Sequence, residues 1–237
     1  MQKKSDRPIK ALSLSDTIVR FVYSPNIRSH FKDIDLVIGC GDLEYYYLEF
    51  VLTALNAPLF FVRGNHDKVV EYSGIGQRTG PGGGVDLHRN VVRYKGLLLA
   101  GVEGSLRYRY GQFQYTQAEM WNHVFSLVPG LIYNRLRYGR FLDLFVTHAP
   151  PAGIHDREDL THQGIRAFLW LLQVFHPAYH FHGHVHIYRP DEVTETLVGS
   201  TRVINTYSYR EMILNLNSKD HTVRSTSETG VHFSGDV

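Results

Sequence analysis

Five short polar clusters in this chain carry side chains able to bind cations or move protons: Asp16, Gly41-Asp42, Gly64-Asn65-His66-Asp67, Thr147-His148-Ala149-Pro150 and His182-Gly183-His184-Val185-His186. Their donors are carboxylate, amide and imidazole groups without a thiolate, a set suited to divalent Mn, Fe, Zn or Mg. A carboxylate such as Asp42 has two oxygens and can bridge two cations. In His184-Val185-His186 an extended backbone turns both imidazoles to one side. Gly41, Gly64 and Gly183 allow close approach of backbone and ligand. Histidine is also concentrated, with eight of the 14 falling between His148 and His186. Imidazole is both the commonest metal ligand and a general acid or base near neutral pH.

Each cluster follows a segment that reads as a strand. Residues 9–14, 36–38, 58–62, 141–146 and 178–181 are short apolar runs. Between them, Ser24-Pro25 predicts the start of a short helix ending near Phe31. Leu48, Val51, Leu52 and Leu55 recur at helical spacing over residues 44–55. Thr116 and Glu119 form a capping box that opens a helix toward Val128, and residues 161–175 read as an amphipathic helix ended by Pro177. Lys95-Gly96 joins two apolar runs as a hairpin, and hairpin-like strands continue to Asn215. Residues 74–84 contain six glycines and predict a flexible loop, without P-loop or dinucleotide-binding order. The alternation predicts an α/β fold, in which ligands collect beyond the carboxyl ends of strands. Five strand ends can therefore bring the five clusters into one cleft. A single domain over residues 1–216 is expected, followed by a polar tail at 217–237.

Composition removes several classes. At 43% hydrophobic residues and a net charge of +2, the chain is not of the disordered type. Its longest uncharged apolar run, residues 167–175 with Gln173 inside, is far short of the roughly 20 residues that span a bilayer. No membrane partner is expected. The N-terminal MQKKSDRPIK lacks the apolar stretch of a secretory leader. A single cysteine, Cys40, excludes a disulfide framework and fits a reducing, cytoplasmic location.

Other residues have two readings each. His155 and His162 follow the His148 cluster and either contact substrate at the cleft mouth or lie on a surface loop. Tyr45 begins the 44–55 helix and either stacks on a base or aryl group or packs in the core. His180 and His182 read as packed groups of the approach strand, Cys40 as a packed thiol. His88, His123, His176, His221 and His232 read as solvated. Eight basic side chains between Arg89 and Arg140, against Glu103 and Glu119, either steer phosphorylated substrates or nucleic acid or face solvent.

Taken in order, the clusters resemble the calcineurin-like metallophosphoesterase pattern D-x-H, G-D, G-N-H-[DE], [TS]-H and G-H-x-H over roughly residues 9–215. The resemblance implies two facing mixed β-sheets flanked by helices, a four-layer sandwich. It implies two divalent metal ions bridged by Asp42. Asn65, His148 and His184 complete one site, and Asp16 with His186 serves the other. His66 is then the catalytic histidine that protonates the leaving oxygen or stabilises the charged transition state, with Asp67 orienting it. The implied reaction is hydrolysis of a phosphomonoester or phosphodiester by a metal-bound hydroxide, on a phosphorylated small molecule. The departure is Ile18, where the pattern has histidine. An aliphatic side chain cannot bind a cation, so the Asp16–Asp42–His186 site is expected to be weaker. Ile18 also favours an alternative, a metal-degenerate interaction protein on the same fold. A nuclease is the third reading, resting on the basic stretch alone.

Overall fold

Strand β1 (Ile9–Ser15) sends Ala11 into one buried cluster and Leu12 and Leu14 into another. That alternation covers a sheet on both faces. Helix α1 (Ile27–His30), strand β2 (Leu36–Gly39), helix α2 (Tyr45–Leu55) and strand β3 (Leu59–Phe61) continue the βαβ order. Strands β4 (Glu71–Ser73) and β5 (Gly76–Arg78) pair as a small antiparallel ribbon. Strand β6 (Gly84–Asp86) then lies parallel to β3. The computed structural model describes residues 8–73 and 76–215.

The expected hairpin forms from β7 (Val91–Tyr94) and β8 (Leu97–Val102), with Lys95 and Gly96 both at positive φ, 47° and 92°. Two such residues give the turn that matches strand twist. Strands β9 (Ser105–Leu106) and β10 (Gln114–Tyr115) pair in parallel and hold a loop between them. Helix α3 (Gln117–Tyr138) opens on the Thr116–Glu119 capping box. Then come β11 (Leu144–Thr147), α4 (Arg166–Phe175), β12 (Tyr179–His182), β13 (Glu195–Val198), β14 (Thr201–Asn205) and β15 (Ser208–Leu214).

Two mixed sheets result, ordered β15-β1-β2-β3-β6 and β13-β14-β12-β11-β8-β7. Leu36, Ile38, Phe60 and Val62 of the first meet Leu97, Leu99, Leu144, Val146 and Phe181 of the second in a shared core. Helices α1 and α2 cover the outer face of one sheet, and α3 and α4 that of the other. The fold is a four-layer α/β sandwich. The strands that precede the polar clusters, β1, β2, β3, β11 and β12, run parallel within each sheet. Their carboxyl ends meet at one rim, where the Asp16 amide donates to the Gly41 carbonyl and the Gly183 amide to the His148 carbonyl. At that rim Asp16, Asp42 and His184 all adopt positive φ, at 65°, 56° and 68°.

Several boundaries differ from expectation. Helix α1 begins at Ile27 because the Ser24 hydroxyl accepts the Asn26 amide just ahead of it. Helix α3 does not stop near Val128 but runs through Pro129 to a left-handed Gly139. Its buried face continues with Leu131 and Asn134, whose amide donates to the Phe141 carbonyl. Helix α4 starts at Arg166, since Ile165 bonds back to Pro150 and the Thr161 carbonyl is used elsewhere. Part of the glycine-rich segment is strand, in β5 and β6. The last expected hairpin strand, β15, crosses to pair with β1 in the other sheet. The tail at 217–237 lies outside the described residues.

Candidate metal centre

His148 follows β11 directly and is fully buried. Its Nδ1 donates to the Cys40 carbonyl at 2.8 Å, which leaves Nε2 to hold either a proton or a cation. His184 is arranged the same way: Nε2 donates to the Thr161 carbonyl at 2.7 Å and Nδ1 is bare. These two nitrogens face each other at 3.1 Å. The Asn65 Oδ1 stands 3.1 Å and the Asp42 Oδ2 3.3 Å from His148 Nε2. Asn65 is oriented for this because its Nδ2 donates to the Tyr108 hydroxyl. Lone pairs converge here on one point, an arrangement that repels itself unless a proton or cation sits among them. Asp42, His148 and His184 have ligand atoms within 4.8 Å of one another. The residues fit a divalent ion.

Asp16 is positioned more loosely. Both its oxygens accept the His184 amide at 3.0 Å, and His186 Nε2 lies 3.8 Å away. The Asp16 side chain is 1% exposed and that of His186 is 40% exposed. Ile18 packs against the apolar cluster under α1 and α2 while lining the cleft, so it closes that side with hydrocarbon. A Cβ on Gly64 would collide with the Asp42 carboxylate, and one on Gly183 with Ser15 and Asp16.

Asp67 reaches back under the rim and accepts three backbone amides, those of Gly64, Asp42 and Leu43, at 2.7, 3.1 and 3.0 Å. Burial and the nearby Asp42 push its carboxyl up to about 7. Its bonds fix the turn backbone rather than the His66 ring. His66 is exposed, donates its backbone amide to Asp42 Oδ1 at 2.8 Å, and stands between two clefts. The cleft holding Asp16, Ile18 and Asp42 has a volume of about 390 Å³.

The profile of the calcineurin-like phosphoesterases matches residues 12–188. The chain belongs to that family. Membership implies metal-dependent phosphoester hydrolysis. Two solved structures share the phosphoesterase fold. A crystal structure 16% identical in sequence superposes with a TM-score of 0.57, covering 88% of this chain and 100% of the other. The TT1561 protein of Thermus thermophilus, 12% identical, gives 0.56 with the same coverage. No curated protein is similar enough in sequence to be matched. Among the described residues, no helix is long and apolar enough to cross a membrane.

Not every candidate residue reaches the phosphoesterase cleft with a free group. Both His155 nitrogens are taken, Nδ1 by His182 and Nε2 by Thr196, each at 2.9 Å. The Tyr45 hydroxyl donates to the Lys68 and Thr79 carbonyls at 2.8 and 3.2 Å, tying the loop after the 64–67 turn. His162 stays close, with its ring centroid 5.3 Å from that of His184 and its Nδ1 held by Asp159. His88 and His123 are not solvated. They pack on each other and on Tyr115, and burial pushes both imidazoles down to about 4. His176 is exposed, and His221 and His232 lie outside the described residues. Tyr108 and the Thr161 carbonyl were missed at the sequence level. Only their long-range contacts reveal them.

Burial alone would push His148 below its usual 6.5, but the Asp42 and Asp16 carboxylates reverse this and hold it up to about 9. A folded value above the unfolded one gives stability that is full below pH 6.5 and lost as pH rises through about 9. Asp67 acts with the same sign, its contribution being lost as pH rises from about 3.8 through about 7. His184, pushed down by burial and by His148, acts below pH 6.5. Melting temperatures of the metal-free protein should therefore fall between pH 6.5 and about 9. Saturating Mn²⁺, which replaces the His148 proton, should flatten the profile above neutrality. Identical slopes with and without Mn²⁺ would mean that no cation competes for that nitrogen.

Proposed function

We propose that the protein is a metal-dependent hydrolase of phosphomonoesters or phosphodiesters, with Asp42, Asn65, His148 and His184 holding one divalent cation and Asp16, Asp42 and His186 the other. The observation that carries this reading is the meeting of His148 Nε2 and His184 Nδ1 with the Asn65 and Asp42 oxygens. The oxygen and imidazole donor set suits Mn, Fe, Zn or Mg. When bound, two such ions supply Lewis acidity toward the phosphoryl oxygens. The chain does the rest. Asp42 shares its carboxylate between the two sites while accepting the His66 amide. The exposed His66 imidazole gives its proton to the departing ester oxygen. Asp67 acts as a positioning residue by tying the turn that carries Asn65 and His66, through the Gly64 amide, to the loop that carries Asp42, through the Asp42 and Leu43 amides.

The basic stretch supports a nuclease poorly. Arg107 pairs with Glu119 and Arg140 with Asp143, while Arg89 and Arg93 lie against α3. Of the eight, Arg109 lines the cavity beside His66.

The reading is tested by stripping metal with chelator, then titrating Mn²⁺ while following hydrolysis of bis(p-nitrophenyl) phosphate and metal content. Turnover should vanish and return. Because Ile18 donates nothing, binding should occur in two unequal steps, with activity following the weaker one. Full activity with no metal detectable would overturn the hydrolytic mechanism, and full activity at one ion per chain would overturn the two-ion part.

A further inference from the structure

The two sides of His66 differ in charge. Glu44 and Glu71 line one side together with Asp16, Asp42 and Ile18. On the other, a cavity of about 380 Å³ lies between the 64–67 turn and the loop joining β9 to β10. That loop is fastened to the turn: Asn65 Nδ2 donates to the Tyr108 hydroxyl and the Val69 amide to Gln112 Oε1, both at 3.3 Å. Its cation is Arg109, which makes no ion pair among the described residues and lies 5.3 Å from the Tyr108 ring centroid. Lys68, by contrast, is already shared between Glu44 and Glu71 at 3.1 and 3.6 Å.

Behind Arg109 sits Gln114, which is buried and also lines the cavity. Its Oε1 accepts the Arg109 amide at 3.3 Å, while its Nε2 has no partner among the described residues. A buried donor without an acceptor is costly, and native folds rarely keep one without a use. Gly111 makes the room for it, since a Cβ there would fall 2.5 Å from that nitrogen. An exposed guanidinium without an ion pair, backed by a buried amide donor without an acceptor, is chemistry suited to an oxyanion.

We propose that this cavity is an anion subsite, taking a second phosphate or carboxylate carried on one arm of the phosphoester. Arg109 is its principal cation, with the Gln114 carboxamide behind it. The inference rests on the hydrolytic reading above and adds a substrate class to it. A guanidinium matches the planar oxygens of either anion. On the opposite side Lys68 and Arg78 are already paired with Glu44 and Glu71 and leave no free cation among the described residues for the same group, so the charged arm is favoured toward Arg109.

The test compares p-nitrophenyl phosphodiesters whose second arm is benzyl, carboxybenzyl or phosphobenzyl, all with Mn²⁺ present. An anionic arm should raise kcat/KM about tenfold or more, mainly by lowering KM, as expected for a hydrogen bond between charged groups. The larger gain of the two identifies carboxylate or phosphate as the ligand. Arg109→Gln should bring the charged-to-neutral ratio close to one, and Arg109→Lys should keep part of it. Equal kcat/KM for charged and neutral arms, or a ratio unchanged in Arg109→Gln, overturns the subsite. No turnover of any arm would instead overturn the hydrolytic reading, and the subsite with it.

Discussion

Asp42→Asn should abolish metal retention and lower turnover by roughly a thousandfold or more, the scale on which preorganised charge acts in such sites. The substitution isolates charge. Asparagine tolerates the positive φ of 56° at this position, and its amide oxygen can go on accepting the His66 amide. Folding should therefore survive. What is lost is the anion beside His148 and the carboxylate shared between the two sites. Metal content by mass spectrometry and turnover on bis(p-nitrophenyl) phosphate provide the check. A variant that keeps both ions and a tenth of its activity would remove Asp42 from the centre of the mechanism.

His66→Ala should separate chemistry from binding. The His66 ring makes no hydrogen bond among the described residues, and the backbone amide that braces Asp42 is retained by alanine. Metal content should stay near that of the unmodified protein while turnover falls by about two to four orders of magnitude, the range for loss of a general acid. The fall should be steeper for an alkyl ester than for a p-nitrophenyl ester, whose leaving group departs without a proton. An equal fall for both esters would deny His66 the proton-transfer role. Loss of metal alongside activity would make it a ligand.

Much of the rim was legible because parallel strands write themselves as short apolar runs ending in polar residues. Asp16, Asp42, Asn65, His148 and His184 stand at such ends, and the structure gathers them as the runs predict. Ile18 was legible as a hydrophobic break in the donor set, and it packs as one. What sequence could not reveal depends on contacts across long separations. Pro129 reads as a helix stop, yet tertiary burial of Leu131 and Asn134 carries α3 past it. The 161–165 segment reads as helix, yet the Thr161 carbonyl is spent on orienting His184. His155 reads either as a cleft-mouth contact or as a surface-loop residue, and neither reading shows the hydrogen-bonded pair it makes with His182. Tyr108 and Arg109 reach the turn only because β9 and β10 fold that loop back on it.

The positive φ values at Asp16, Asp42 and His184 set durability against activity at the same positions. Left-handed backbone costs an L-residue with a Cβ on the order of 1 kcal/mol, somewhat less for aspartate, and glycine would remove that cost. Glycine would also remove the donor. Mutational drift under selection for folding alone would therefore favour losing the donors from the rim, one relaxed turn at a time, while the sandwich beneath grew more stable. At these three positions, selection for stability and selection for the proposed metal binding would pull in opposite directions.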